Sequence, residues 1–231
     1  MVNEMAGINF TMPKNVAEAK ELQEQLREKV ELCSFSGEYQ YICGVDVAYR
    51  KRSRIGVAAA VVLGENLGVE DSSVAELEVG FPYIPGFLSF REVPIILEAI
   101  KGLKLKADIF MVDGQGLAHP RGIGLGCHLG LILGMPTLGV AKSHLVGDFE
   151  EPDMVQGDWR SLSYKGKEVG RVVRTRDWAK PVFVSPGHLI DQEGAYKVVM
   201  SSLHRYRLPE PIRLAHLVAE RAKRERVKVT R

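Results

Sequence analysis

Residues 40–63 read QYICGVDVAYRKRSRIGVAAAVVL, two apolar runs separated by a short basic link. In an extended chain side chains alternate between faces. Tyr41, Cys43, Val45, Val47 and Tyr49 therefore share one face of the first run, and Ile42, Gly44, Asp46 and Ala48 the other. The second run, 55–63, is almost wholly small or β-branched, and the links Arg50 to Arg54 and Gly64 to Gly68 are short and polar. That is the pattern of antiparallel strands joined by tight turns. A third strand-like run at roughly 73–79 completes a meander.

Working outward, the spacing predicts a helix over 88–101, an apolar strand at 107–112 (ADIFMV), a helix at 125–133 and a strand at 137–140. The resulting β-β-β-α-β-α-β order implies an α/β protein with a mixed sheet, an antiparallel three-strand meander plus parallel strands, flanked by helices. Upstream, Asn15 and Glu18 have capping-box spacing, and Ala19, Leu22, Leu26 and Val30 form a stripe, so a first helix is expected near 15–31. Downstream, strands are expected at 168–174 and 181–184 and helices near 191–203 and 211–226. With no repeat or long linker, the 231 residues are expected to form a single domain.

The composition, 45% hydrophobic and 26% charged, excludes a disordered, collagenous or disulfide-scaffold protein. The longest clean apolar run, Val57 to Leu63, is too short to span a bilayer. No charged leader with an apolar stretch opens the chain, and the three cysteines, Cys33, Cys43 and Cys127, lack CxxC spacing. A cytoplasmic monomer with reduced thiols is the expectation. Net charge is only +2, but from Arg205 onward nine basic residues face three acidic ones. A basic terminal helix or tail over about 205–231 suits a polyanion, although a solvated helix face gives the same pattern.

Three carboxylates break the apolar pattern. Asp46 interrupts the first strand, where a buried acid is costly unless paired or bound to a cation. Glu92 falls on the stripe of Leu88, Ile95, Ile96 and Ala99, pointing towards the core, although Ser89-Phe-Arg-Glu92 is also a capping box. Asp113 ends ADIFMV and opens Gly114-Gln115-Gly116, where open α/β sheets bind ligands or where a simple turn forms. Taken jointly, the order lets the first and fourth strands lie side by side with the intervening helix across them. That would bring Asp46, Glu92 and Asp113 together at one edge of the sheet. Three hard oxygen donors suit Mg²⁺, with Mn²⁺ able to substitute, and such clusters serve phosphodiester hydrolysis. Gly122-Ile-Gly124-Leu-Gly126 lacks the last glycine of a dinucleotide loop, and neither a phosphate-binding loop nor zinc spacing occurs.

The runs FPYIPGFLSFRE (81–92), DGQGLAHPR (113–121), GVAKSHL (139–145), VSPGH (184–188) and PEPIRLAH (209–216) resemble the endonuclease V family of deaminated-base repair nucleases, from about residue 15 to 225. The resemblance implies a ribonuclease H-like fold, metal binding by Asp46 and Asp113, and catalysis by Glu92, which would bind metal as well or orient the attacking water. It implies that Tyr83, stiffened by Pro82 and Pro85, is a wedge pushed into the duplex, against the simpler reading of a loop ring packed inward. Lys142 and His216 correspond to further positions near the active site. Lys142 would hold a phosphate, and His216 would position water, move a proton or touch metal, or else be a satisfied core histidine. His119 has a similar claim, whereas His188 reads as a helix cap. Gly86, Leu88, Gly114, Gln115, Gly116 and Ile123 correspond to a backbone-lined pocket for the flipped base.

The implied activity is a Mg²⁺-dependent nick at the second phosphodiester 3′ to deoxyinosine in DNA, leaving 3′-hydroxyl and 5′-phosphate ends. Two alternatives stay open at this point: an inosine-specific endoribonuclease, and a non-catalytic nucleic-acid-binding module on the same fold.

Overall fold

The computed structural model describes residues 7–225. Its elements are α1 (Val16–Arg27), β1 (Ile42–Tyr49), β2 (Ile55–Leu63), β3 (Val69–Glu78), α2 (Leu88–Lys101), β4 (Ile109–Asp113), α3 (Leu125–Leu133), β5 (Thr137–Ala141), β6 (Trp159–Tyr164), β7 (Lys167–Val173), β8 (Val182–His188), α4 (Gln192–Ser201) and α5 (Glu210–Arg224). The strands form one sheet in the order β3-β2-β1-β4-β5-β8-β7-β6. β1, β4 and β5 are parallel, and every other pairing is antiparallel. The expected mixed sheet of meander plus parallel strands is therefore present, flanked by helices. Residues 226–231, the end of the expected basic tail, lie outside the described residues.

Both faces of the sheet are covered, which is why β2 can be apolar without alternation. On one face Cys43, Val45, Ala58, Ala60 and Val62 pack against Val93 and Ile96 of α2 and Leu129 and Ile132 of α3. On the other, Ile42, Val61, Ile109, Met111, Leu138 and Val184 meet Val198 and Val199 of α4 and Ile212 and Ala215 of α5. α2 lies across β1, β2 and β3 rather than over the β1–β4 seam, because α3 occupies the face above β4, β5 and β8.

α5 runs along β1, and Gly44 makes that possible. A Cβ at Gly44 would stand 2.0 Å from the Pro211 carbonyl oxygen, so only glycine lets the first turn of α5 touch the strand. From Pro211, five helical residues rise about 7.5 Å, and two strand residues from Gly44 advance about 6.6 Å. His216 thereby arrives above Asp46, and Ala219 above Ala48. Gly44→Ala is expected to cost at least about 3 kcal/mol, since backbone cannot yield as a side chain can. A melting temperature lowered by about 10 °C would register that loss, and an unchanged one would refute the close-approach argument.

Several boundaries differ from expectation. α1 ends at Arg27, and only half of its capping box forms: Asn15 Oδ1 accepts from the Glu18 N–H at 2.9 Å, but the Glu18 carboxylate accepts from Lys14 N–H. β3 begins at Val69, four residues early, through a bulge at Val62/Leu63. β6 was not anticipated; it forms a hairpin with β7 through Lys165 and Gly166, both at positive φ, the geometry of a primed turn. β8 continues to His188 because Pro186 sits beside a bulge, where a missing N–H is tolerated. His188 does not cap α4. Its Nδ1 accepts from the Glu31 N–H at 3.2 Å, and Asp191 is the cap, accepting from Gly194 N–H at 2.7 Å.

Candidate active site

The β1–β4 pairing runs to Val45↔Val112, so the next step in register sets Asp46 beside Asp113, the last residue of β4. Both point to the α5 face. His216 Nδ1 lies 2.7 Å from Asp46 Oδ2. One ligand atom from each of Asp46, Asp113 and His216 fits within 4.8 Å of the others. From the next strand over, just past the end of β5, Lys142 Nζ forms an ion pair with Asp113 Oδ2. The trio meets midway along β1 and at the carboxyl end of β4, over two central strands and not at one edge of the sheet, because β5, β8, β7 and β6 extend the sheet beyond β4.

Glu92 approaches from the opposite face. It is 8% exposed, and the Tyr49 hydroxyl donates to its Oε1 at 3.0 Å. Ser89 does not cap α2, whose N-cap is Phe87, so the capping-box alternative fails and the stripe reading holds. Glu92 stands beside the Asp46–Asp113–His216 trio but is not one of its three members. Tyr49 was already on the α2-facing side of β1 in the sequence pattern, but nothing there tied it to Glu92.

The electrostatics are those of crowded negative charge. Burial pushes the Glu92 carboxyl up to about 8, helped by Asp46 and Asp113 and opposed by the Tyr49 hydrogen bond. Burial and then the Asp113 charge hold Asp46 above its usual range, against His216 and Lys142. A divalent cation fits here: two carboxylates and an imidazole converge, and a positive charge among them would relieve both shifts. Oxygen donors dominate the set, as a hard cation requires.

Tyr83 is 70% exposed at the tip of a loop whose ends, Phe81 and Phe87, are buried; it does not pack inward. His119 is not part of the Asp46–Asp113–His216 trio. Its Nε2 is 3.0 Å from the Gly86 carbonyl and its Nδ1 accepts from Arg121 N–H at 3.3 Å, with burial and Arg121 lowering its pKa to about 4.

The residues expected to form a base pocket divide. Leu88 and Gly114 are half-buried. The Gly86 carbonyl, expected to meet a base, instead accepts from Gln23 and Arg121 inside the protein. Gly116 donates to Ser185 Oγ at 2.7 Å in the interior, and Ile123 packs with Leu117, Cys127 and Leu131. Gln115 Nε2 donates to the Ser143 carbonyl at 3.3 Å, while its buried Oε1 has no partner among the described residues.

The family model described as Endonuclease V matches residues 24–217. A protein of Dictyoglomus turgidum named Endonuclease V is 44% identical over 215 residues, covering 93% of this chain and 94% of that protein. The crystal structure of the Endonuclease V from Streptomyces avermitilis superposes with a TM-score of 0.89 at 40% identity, covering 95% of this chain and 97% of that one. That of Ciona intestinalis Endonuclease V, in complex with a 24mer DNA containing an inosine followed by a ribo-adenosine, matches with a TM-score of 0.78 at 27% identity. It covers 90% of this chain and 97% of that chain.

Proposed function

The chain belongs to the endonuclease V family, and from that premise we propose that it is a repair nuclease acting on DNA that contains deoxyinosine. Its reaction is hydrolysis of the second phosphodiester 3′ to the lesion, leaving 3′-hydroxyl and 5′-phosphate ends. The observation that carries the reading is the convergence of Asp46, Asp113 and His216 within 4.8 Å, on the scaffold shared with relatives of that name. The Ciona complex with inosine-containing DNA supports the choice of substrate.

Asp46 and Asp113, with His216 beside them, would hold Mg²⁺, for which Mn²⁺ could substitute. The chemistry such a cation supplies when bound is a more acidic water and neutralised charge on the leaving oxygen. The other roles belong to the chain. Glu92, holding a proton near neutral pH when no cation is present, orients the attacking water once ionised. His216 fixes the Asp46 carboxylate through Nδ1. Lys142, a compact point charge, can exchange Asp113 for a phosphate oxygen. Tyr83 fills the stack when the base leaves it. Arg221, Lys223 and Arg224 in the last turn of α5 meet phosphates, which makes binding fall steeply with salt.

One observation favours a second reading, cleavage of inosine-containing RNA: the 24mer DNA bound by the Ciona protein carries a ribo-adenosine after its inosine. The 2′-hydroxyl is the handle for that choice. A labelled duplex with one deoxyinosine, incubated with Mg²⁺ or EDTA beside the matching inosine RNA, decides the matter. The expected result is a Mg²⁺-dependent nick in DNA at the second 3′ linkage. Cleavage of RNA alone would move the assignment to the second reading. Binding without cleavage of either would leave a non-catalytic module.

A further inference from the structure

Gln23 of α1 is fully buried beneath the loop that carries Tyr83, one residue before the segment matched by the family model. Its side-chain amide works in both directions. Nε2 donates to the Gly86 carbonyl at 3.0 Å, and Oε1 accepts from Arg121 Nε. Arg121 Nη2 also donates to the Gly86 carbonyl, at 2.6 Å, and its guanidinium lies 4.2 Å above the Phe87 ring centroid. His119 Nδ1 accepts a backbone N–H, so its Nε2 carries the proton and becomes a third donor to the same carbonyl. A carbonyl oxygen with three donors is saturated, and the turn that presents it needs φ +81 at Gly86, which glycine adopts freely.

The rest of the loop is arranged around this point. Phe81 and Phe87 anchor its two ends in one apolar cluster with Phe90 and Ala19, against which Leu22 also packs, so α1 is the floor under the loop. The ends and Gly86 are fixed while the tip, Tyr83, stands in solvent. The side-chain hydrogen bonds of Gln23 go to Gly86 and Arg121 rather than to the acids, and nothing in the cleavage chemistry uses it.

We infer that Gln23 is a positioning residue for the wedge: with Arg121 it locks the Gly86 carbonyl and so sets the pose of Tyr83 before a duplex arrives. This rests on the wedge reading of Tyr83. Binding costs less when the inserted group is already held in place. Only a substrate whose base must be extracted from the stack draws on that preorganisation.

The test is Gln23→Met, which keeps length and packing but removes both hydrogen bonds. Two substrates are compared under single turnover with Mg²⁺: deoxyinosine in a paired duplex, and deoxyinosine in an unpaired bubble where the base is already unstacked. The expected result is about tenfold slower nicking of the duplex, the scale of one or two net hydrogen bonds, with bubble cleavage within twofold of wild type. A second readout needs no cleavage. Without divalent cation, 2-aminopurine beside the deoxyinosine should brighten on binding wild type and much less with Gln23→Met. Equal losses on duplex and bubble would mean general structural damage and overturn the inference, as would no loss on either. If wild type brightens the probe yet nicks nothing, the nuclease reading fails while the dependence on Gln23 is still decided by the fluorescence.

Discussion

Asp46→Asn is expected to slow nicking by at least about a thousandfold and, in the same preparation, to raise the melting temperature of the cation-free protein. The first effect follows from removing one of two carboxylates that would hold the cation, whose charge stabilisation is worth several kcal/mol in such reactions. The second follows from the crowding around Asp46. Its carboxyl is held above its usual range by burial and by Asp113, so the folded protein binds that proton more tightly than the unfolded chain does. Stability is therefore lost as pH rises from the unfolded value through the folded one, and at neutral pH the ionised group is a cost. Asparagine removes the charge and can still accept the His216 Nδ1–H bond. Thermal melts with and without Mg²⁺ check the pair of effects: wild type should gain stability with Mg²⁺ by mass action, and the variant should not. A variant that melts lower and still responds to Mg²⁺ would remove Asp46 from the centre.

Glu92→Gln should show the same trade with a pH signature. Glu92 has its proton affinity pushed up to about 8, from a usual value near 4.5, chiefly by burial. Below about 4.5 both folded and unfolded chains hold the proton and the variant should match wild type. Between about 4.5 and 8 only the folded state holds it, so wild-type stability falls as pH rises and the advantage of glutamine grows. Above about 8 the difference should level off at a few kcal/mol, or several degrees of melting temperature. Glutamine keeps the Tyr49 bond, because its carbonyl accepts the same hydroxyl. Nicking should fall by about a hundredfold or more, as expected when a group that orients water is lost. Melts of both proteins at pH 4.5 and pH 9 without divalent cation test the sign; a difference that shrank with pH would contradict it.

The parts of this molecule legible in the sequence were those governed by short-range periodicity. The meander, ADIFMV and the helix at 88–101 were readable because alternation and the i+3/i+4 stripe report burial directly, and an acid on either pattern declares itself. Asp46 and Glu92 stand out that way, and Asp113 by closing ADIFMV before a glycine-rich turn. Gln23 carries the same signal, a polar residue four positions after Ala19 on an apolar stripe, but an amide is cheap enough at a helix edge that the pattern alone did not single it out. Ile123 and Gly116 were assigned by resemblance, and their burial depends on α3 and β8 packing from elsewhere in the chain. β6 was missed because its faces alternate weakly; its one local mark was the Lys165–Gly166 turn. The place of the site on the sheet depended on how many strands lie beyond β4, which is a property of long-range pairing.

The 170-residue separation between His216 and Asp46 also has a consequence during synthesis. At roughly 5–20 residues per second, β1 and β4 leave the ribosome many seconds before α5 does. Until then Gly44 and Asp46 have no cover, and the imidazole that completes the trio has not been made. A chain released between Asp113 and Glu210 would carry two of the three converging groups on an unshielded sheet. Nuclease capability would thus wait on the synthesis of α5, with no cutting by shorter fragments.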